Sequence, residues 1–264
     1  GFSDVYSINI ASAVCDWSAF AMPATAEWVG NQVKIKEYKN ELHRKDDGTL
    51  AGDIEVPAEA IKYDSKADTW VSAEGETSYS KGVYELVDNS FHHGIERSVV
   101  DYLYAGAFVT EWVTKDSEDD PYYDEQYSSY LGPDQEVSVA AVYDQENGTI
   151  TNYYNYNFPP SEQRAAAFGA PGWSVTASGN YIGVSWEIVE ALARIVVDGG
   201  DVTGKNYAFA NGVEGAVEVD VMNADCVKDV KAELEQMKEE GHVPVYIDDY
   251  IDTDYAVERY QAAL

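Results

Sequence analysis

Three changes of pattern along the chain predict an α+β fold with an extended β-hairpin region, a long spine helix and a smaller α/β domain. Period-two alternation holds over 28–87, a three-and-four spacing of apolar residues follows from residue 88, and helix and strand patterns alternate over the last third. With 264 residues, 45% of them hydrophobic, the chain can bury an ordinary core. Its 21 Tyr, 7 Phe and 6 Trp exclude the disordered class that its charge alone would fit.

The elements follow in order. Residues 1–27, from Val5 through Val14 and Trp17 to Ala26, lack clean periodicity and read as an N-terminal arm. Over 28–87, Val33 and Ile35 alternate with Lys34 and Lys36 in a half-buried strand, Asp47-Gly48 is a turn, and Ile54 to Tyr63 and Trp70 to Val87 return as extended runs. This makes a long hairpin region with an exposed, charged tip near His43 to Asp47. At Asp88-Asn89-Ser90 a capped helix is expected, with Ile95, Val99, Leu103, Gly106, Val109 and Val113 in one stripe. It reads as the longest helix and the spine of the core. Residues 115–135 read as an acidic, tyrosine-rich loop around Pro121. A second hairpin, Val137 to Tyr143 and Thr149 to Phe158, closes a unit spanning 88–170. Residues 171–264 form the α/β domain. In it a helix capped by Ser185 carries Ile188, Leu192 and Ile195 inward and stops at Gly199-Gly200. Strands follow at Tyr207 to Ala210 and Ala216 to Val221. A helix capped by Asn223 or Asp225 then presents Val227, Val230, Leu234 and Met237, and a last strand runs from Val243 to Ile247.

Charge bounds the partners. Seventeen Lys and Arg stand against 48 Asp and Glu, a net charge of −31. Nucleic acid and anionic lipid are held by neutralising phosphates with basic side chains. Here even the richest basic stretch, Lys34 to Lys45, is interrupted by Glu37 and Glu41, so no direct nucleic-acid binding is expected. No run of 18 apolar residues is present, so no membrane insertion is expected either. The acidity would suit a halophilic surface, although Lys outnumbers Arg 12 to 5. The chain opens at Gly1 without a Met, which reads as a terminus made by processing or trimming. Cys15 and Cys226, too few and too far apart for a disulfide framework or a CxxC site, each read as a small buried residue. Asn147-Gly148-Thr149 matches a glycosylation sequon, but Asn-Gly between strand-like runs is first a hairpin turn.

No motif names a reaction. His92 and Glu96 stand i, i+4 in His92-His93-Gly94-Ile95-Glu96, a spacing that would put two metal ligands on one side of a helix. His43 and His242, the remaining histidines, have no motif around them to supply the third ligand. Asp116, Asp119 and Asp120, within the acidic run to Glu125, and Asp248, Asp249, Asp252 and Asp254 offer carboxylate oxygens for structural Ca²⁺ or Mg²⁺. Neither segment has an EF-hand frame, and an acidic run is usually a solvated face. No other cofactor is expected. Ser90 and Ser185 read as helix caps rather than nucleophiles, in the absence of a G-x-S-x-G elbow. The run Tyr153-Tyr154-Asn155-Tyr156-Asn157-Phe158 reads equally as a platform for a sugar or protein and as a strand with tyrosines on both faces.

The succession Val29-Gly30-Asn31-Gln32-Val33-Lys34-Ile35-Lys36-Glu37-Tyr38, a charged tip, the return through Trp70 and Tyr84-Glu85-Leu86-Val87-Asp88, and the long helix from His92 resembles the tailed-phage major capsid family. That resemblance implies an N-terminal arm, an extended E-loop hairpin, a spine helix and an axial α/β domain, with Trp173 to Gly199 and Gly241 to Asp249 similar to pieces of the last. It departs at the end, since the chain stops at Leu264 without a return to the peripheral sheet. Ile188 to Ile247 also resembles the C-terminus of basic-membrane-protein solute-binding lipoproteins. The leading expectation is a non-enzymatic structural protein that self-assembles with copies of itself, a virion shell subunit, located in a virion or at an extracellular surface. The alternative is an exported solute-binding protein with Tyr122, Tyr153, Tyr156 and Trp173 as contacts. A metal-dependent enzyme using His92 and Glu96 is third.

Overall fold

The computed structural model describes residues 28–29, 33–86, 97–115, 120–171, 185–220 and 223–241. Helices and a mainly antiparallel sheet are both present, an α+β arrangement. The sheet has seven strands in the order β1-β2-β9-β11-β10-β6-β7, every neighbouring pair antiparallel. Its members are β1 (Trp28–Val29), β2 (Val33–Asn40), β6 (Ile61–Asp64), β7 (Thr69–Ser72), β9 (Ser80–Leu86), β10 (Ser138–Asp144) and β11 (Thr149–Tyr154). Between β2 and β9 lie two short ribbons, β3 (Leu42–Arg44) with β4 (Leu50–Gly52) and β5 (Ile54–Glu55) with β8 (Thr77–Ser78). The expected extended region is therefore no free arm. Its two long strands and the β6–β7 hairpin are stitched to the second hairpin, with Thr149 opposite Glu85 and Ala141 opposite Ile61. The alternating residues that predict half-buried strands find their cover within the chain itself. The β3–β4 and β5–β8 ribbons are separate from this sheet, and β3–β4 rests at its base on Ser78 and Tyr79, where a Cβ on Gly52 would meet the Ser78 carbonyl and the Tyr79 hydroxyl donates to the Leu50 carbonyl.

The β10–β11 hairpin is as expected, closed by Gly148 at φ +60 and by Asp144, which accepts from the Asn147 backbone and amide. Alternation along its strands sorts the tyrosines. Tyr153 and Ala140 pack with Ile54, Val56, Ala60 and Ala73. Ile150 and Ala141 pack with Val33, Tyr84, Val99 and Tyr102 beneath the first helix.

That helix, α1 (Val99–Val113), is the spine, but it starts later and faces another way than its periodicity predicts. Ser98 is its N-cap, extended at φ −128 and ψ 168, in a capping box with Asp101; 87–96 lie outside the described residues. Its buried positions are Val99, Asp101, Tyr102, Ala105, Phe108, Thr110 and Trp112, one residue round from the expected Leu103, Gly106, Val109 and Val113. Aromatic area decides this rotation, since Phe108 and Trp112 bury far more apolar surface than the aliphatic stripe. No residue from Val99 to Val113 is fully exposed, as befits a helix sandwiched between layers. Gly106 lies where the β6–β7 hairpin and β10 press closest: a Cβ there would sit 3.1 Å from the Tyr143 hydroxyl and 3.5 Å from the Trp70 ring.

The expected loop at 115–135 is largely a helix, α2 (Glu125–Val137), capped by Asp124 and continuous through Gly132-Pro133. Tertiary packing overrides the breakers. Tyr127 is fully buried against Phe108 and Trp112, and the Ser128 hydroxyl donates to the Trp112 carbonyl. After a short α3 (Glu162–Phe168), the helices α4 (Trp186–Asp198) and α5 (Ala224–Glu239) enclose the largest core with β12 (Tyr207–Ala208) and β13 (Val217–Glu218), a parallel pair. At 16 residues α5 is one longer than α1, so α1 is not the longest helix. Asn223 caps it, and Cys226 takes the buried place expected of Val227, which is 44% exposed.

Candidate functional site

Most residues singled out for metal chemistry, namely His92, His93, Glu96, Asp116, Asp119, His242, Asp248, Asp249, Asp252 and Asp254, lie outside the described residues, as do Cys15 and Trp173. Asp120 is described and is spent locally, one oxygen accepting from Tyr122 N at 2.9 Å and the other 3.9 Å from Lys115 Nζ. His43 pairs with Asp53 across the β3–β4 ribbon at 2.6 Å. Among the described residues no group of three or more His, Cys, Asp or Glu could hold a metal ion. Of the aromatic residues, Tyr153 is buried, 6% exposed, and packs with Ile54, Val56 and Ala73. Tyr122 sets its ring edge-on to Trp112, and Tyr156 stacks on Phe168 at 3.9 Å, so they occupy separate places.

Three polar hubs, two of them on buried carboxylates and the third part-buried, stand where tertiary structure assembles them. At the first, Asp101 accepts from Ser98 N at 2.8 Å and from Trp186 N at 3.0 Å, so one carboxylate caps α1 and ties the start of α4 to it. Burial raises its pKa against these bonds and the nearby Arg97. At the second, the Asp229 carboxylate, 1% exposed, accepts from Val202 N, Thr203 N, Thr203 Oγ1 and Tyr207 Oη. Burial pushes this carboxyl up, and the hydrogen bonds together pull it below the usual carboxylate range. Gly200 makes the approach possible: a Cβ there would lie 2.1 Å from Asp229 Oδ2. At the third, Arg194 joins α4 to α5 through Glu190, Glu233 and Glu240 at 2.9–3.1 Å, and Tyr104 donates to the other Glu190 oxygen. The arrangement of all three is structural: each carboxylate holds donors of the fold itself. The S-x-x-D pattern Ser98 to Asp101 carried a readable capping signal for the first. The second and third are joined by bonds between loops and helices 22 to 86 residues apart, which left none.

The outer surface holds two features that nothing within the described residues completes. From Glu41 to Asp53 no residue is buried, so the β3–β4 ribbon has no core of its own. Residues 33–86 carry eight Lys and Arg against twelve Asp and Glu, net −4, while the rest of the chain carries nine against 36, net −27. Cross-strand pairs such as Lys36 with Glu85 and Lys81 with Glu37, with Lys39 on Glu41 and Lys62 on Glu76 beside them, keep this segment nearly neutral. The second feature is β7, an outer strand of the sheet. No helix among the described residues is long and apolar enough to cross a membrane. Comparison with protein-family models and with curated proteins finds no match to this chain.

Proposed function

We propose that the protein is a structural, non-enzymatic subunit that assembles with copies of itself into a shell or surface lattice, in a virion or at a cell exterior. A virion shell of the major-capsid kind is the form that the element order suggests. The observation that carries the reading is the β3–β4 ribbon. A two-stranded ribbon is marginal in water, and this one has no buried residue and meets the chain only at its base, on Ser78 and Tyr79, so a neighbour that packs on its free face accounts for it. The charge partition agrees. Subunits this acidic repel one another unless they meet through a compensated surface, and 33–86 is that surface.

Light scattering and electron microscopy of the native protein across salt concentrations test the proposal. Association is expected to grow with ionic strength as the carboxylates are screened over ~8 Å at physiological salt. A further gain from millimolar Ca²⁺ or Mg²⁺ at constant ionic strength is expected only if a cation site contributes. A particle that stays monomeric at every salt and protein concentration refutes the assembly reading.

A further inference from the structure

The ladder between β6 and β7 fixes which backbone groups of β7 are unused. Ala73 N donates to Ala60 O at 2.9 Å, and the register continues with Ser72 opposite Ile61, Val71 opposite Lys62 and Trp70 opposite Tyr63. Hydrogen-bonded and non-bonded pairs alternate along an antiparallel ladder, so Ala73, Val71 and Thr69 bond inward to β6. The N–H and C=O groups of Trp70 and Ser72 point away from the sheet, and nothing among the described residues is bonded to them. Sheets normally guard such an edge with Lys, Pro or a bulge. In this highly charged chain, Thr69 to Ala73 has no charge, no proline and no bulge.

We propose that β7 is a self-association seam, at which the β7 strands of two copies pair antiparallel about a two-fold axis passing at Val71. The inference rests on the assembly reading above and names its contact. Only outward-bonding residues can exchange hydrogen bonds across the seam, so Trp70 and Ser72 must meet outward-bonding partners. Setting Trp70 opposite Ser72 of the second copy uses every free group on both strands, whereas sliding by two residues leaves half of them unmet. The contact is isologous, as two-fold pairing requires. It is also short, so a single seam gives weak association and a stable assembly needs it alongside other contacts. In this register the turn residues that flank β7, Asp68 and Glu74, bring carboxylates of the two copies together at each end of the seam. Like charges opposite one another weaken a strand pair, which makes the seam itself salt-dependent.

Sedimentation velocity on the full chain tests the seam, with circular dichroism and melting confirming that each variant is folded. At a salt concentration where the wild type associates, Val71→Lys and Val71→Glu are each expected to sediment as monomers, because two like charges meet at the axis. An equimolar mixture of the two is expected to associate again, because Lys then meets Glu. Glu74→Gln, an exposed change that threatens no core, is expected to tighten association roughly three- to tenfold at low ionic strength and to lose that advantage in high salt. If the wild type associates while both Val71 variants associate equally well, or if Glu74→Gln changes nothing, the seam is overturned and assembly proceeds through another surface. A wild type that never associates removes the assembly reading and the seam with it.

Discussion

Asp229→Ala is the most informative single change for the fold, because one buried carboxylate holds the loop between α4 and β12 in place. Removing it leaves the Val202 and Thr203 amides and the Thr203 and Tyr207 hydroxyls without their acceptor. A buried donor left unsatisfied costs ~1–3 kcal/mol. The four costs do not add, because Val202 is 59% exposed and its side of the loop can rehydrate. A loss of about 3–5 kcal/mol is therefore expected, a large part of a typical net stability of ~5–15 kcal/mol. In urea, with a slope of about 3 kcal/mol/M, the midpoint should fall by roughly 1–1.7 M. Asp229→Asn keeps an oxygen for the two amides, and both hydroxyls can turn to accept from the new amide, so it should cost about 1–2 kcal/mol. Gly200→Ala drives a methyl onto the same carboxylate and should cost about 1–3 kcal/mol. In the Asp229→Ala background that cost should shrink by half or more, because the atom it strikes is gone. A loss below about 1 kcal/mol for Asp229→Ala, or a Gly200→Ala cost identical in both backgrounds, would refute the reasoning.

Two further outcomes are expected. Carbon-detected carboxyl titration should place Asp225, paired with Lys205 and Lys228, near about 2, Asp229 below the ordinary carboxylate range, and Asp101 above it because of burial. The lowered groups contribute stability present above their unfolded pKa and lost as pH falls through the folded value. Asp101 contributes the reverse, present below its unfolded pKa and lost as pH rises through the folded one; an Asp101 midpoint below that of Asp229 would contradict the burial argument. Phe209→Ala empties the centre of an aromatic group in which its ring lies 4.8 Å from Trp112 and 5.4 Å from Phe108, and should lower the urea-derived stability by about 3–5 kcal/mol.

What could be read from the chain, and what could not, divides along the range of the interactions. The β10–β11 hairpin, the bounds of the Ser185-to-Gly199 helix and the Asn223 cap were legible because alternation and stop residues sit beside the elements they define, whereas Ser185 stands at the N-cap position without the side-chain capping bond expected of it. The face of α1 was not legible from aliphatic spacing, since Phe108 and Trp112 outweigh Leu103 and Val109 only once α2 and α4 are there to cover them. For α2, Gly132-Pro133 is a local stop signal that the packing of Tyr127 overrules. That the hairpin region joins a sheet depends on β6 finding β10 some 80 residues later, which no local pattern encodes. Among candidate site residues, the acidic runs were visible as composition. Asp101 shows its capping role in the S-x-x-D pattern but not its bond to Trp186, and Asp229 looks like any other acid until Thr203 arrives beside it.

The order in which the seven-stranded sheet is threaded has a consequence for synthesis. Leu86 ends β9, yet the strand that completes its other edge, β11, ends at Tyr154, 68 residues later. At ~5–20 residues per second, β9 leaves the ribosome roughly 3–14 seconds, and β6 roughly 4–16 seconds, before the strand on its second edge exists. Throughout that interval the nascent chain carries apolar strands with bare edges, the species most exposed to mispairing. The segment that waits, 33–86, carries a net charge of only −4, so little of the repulsion of the whole chain protects those edges during that interval.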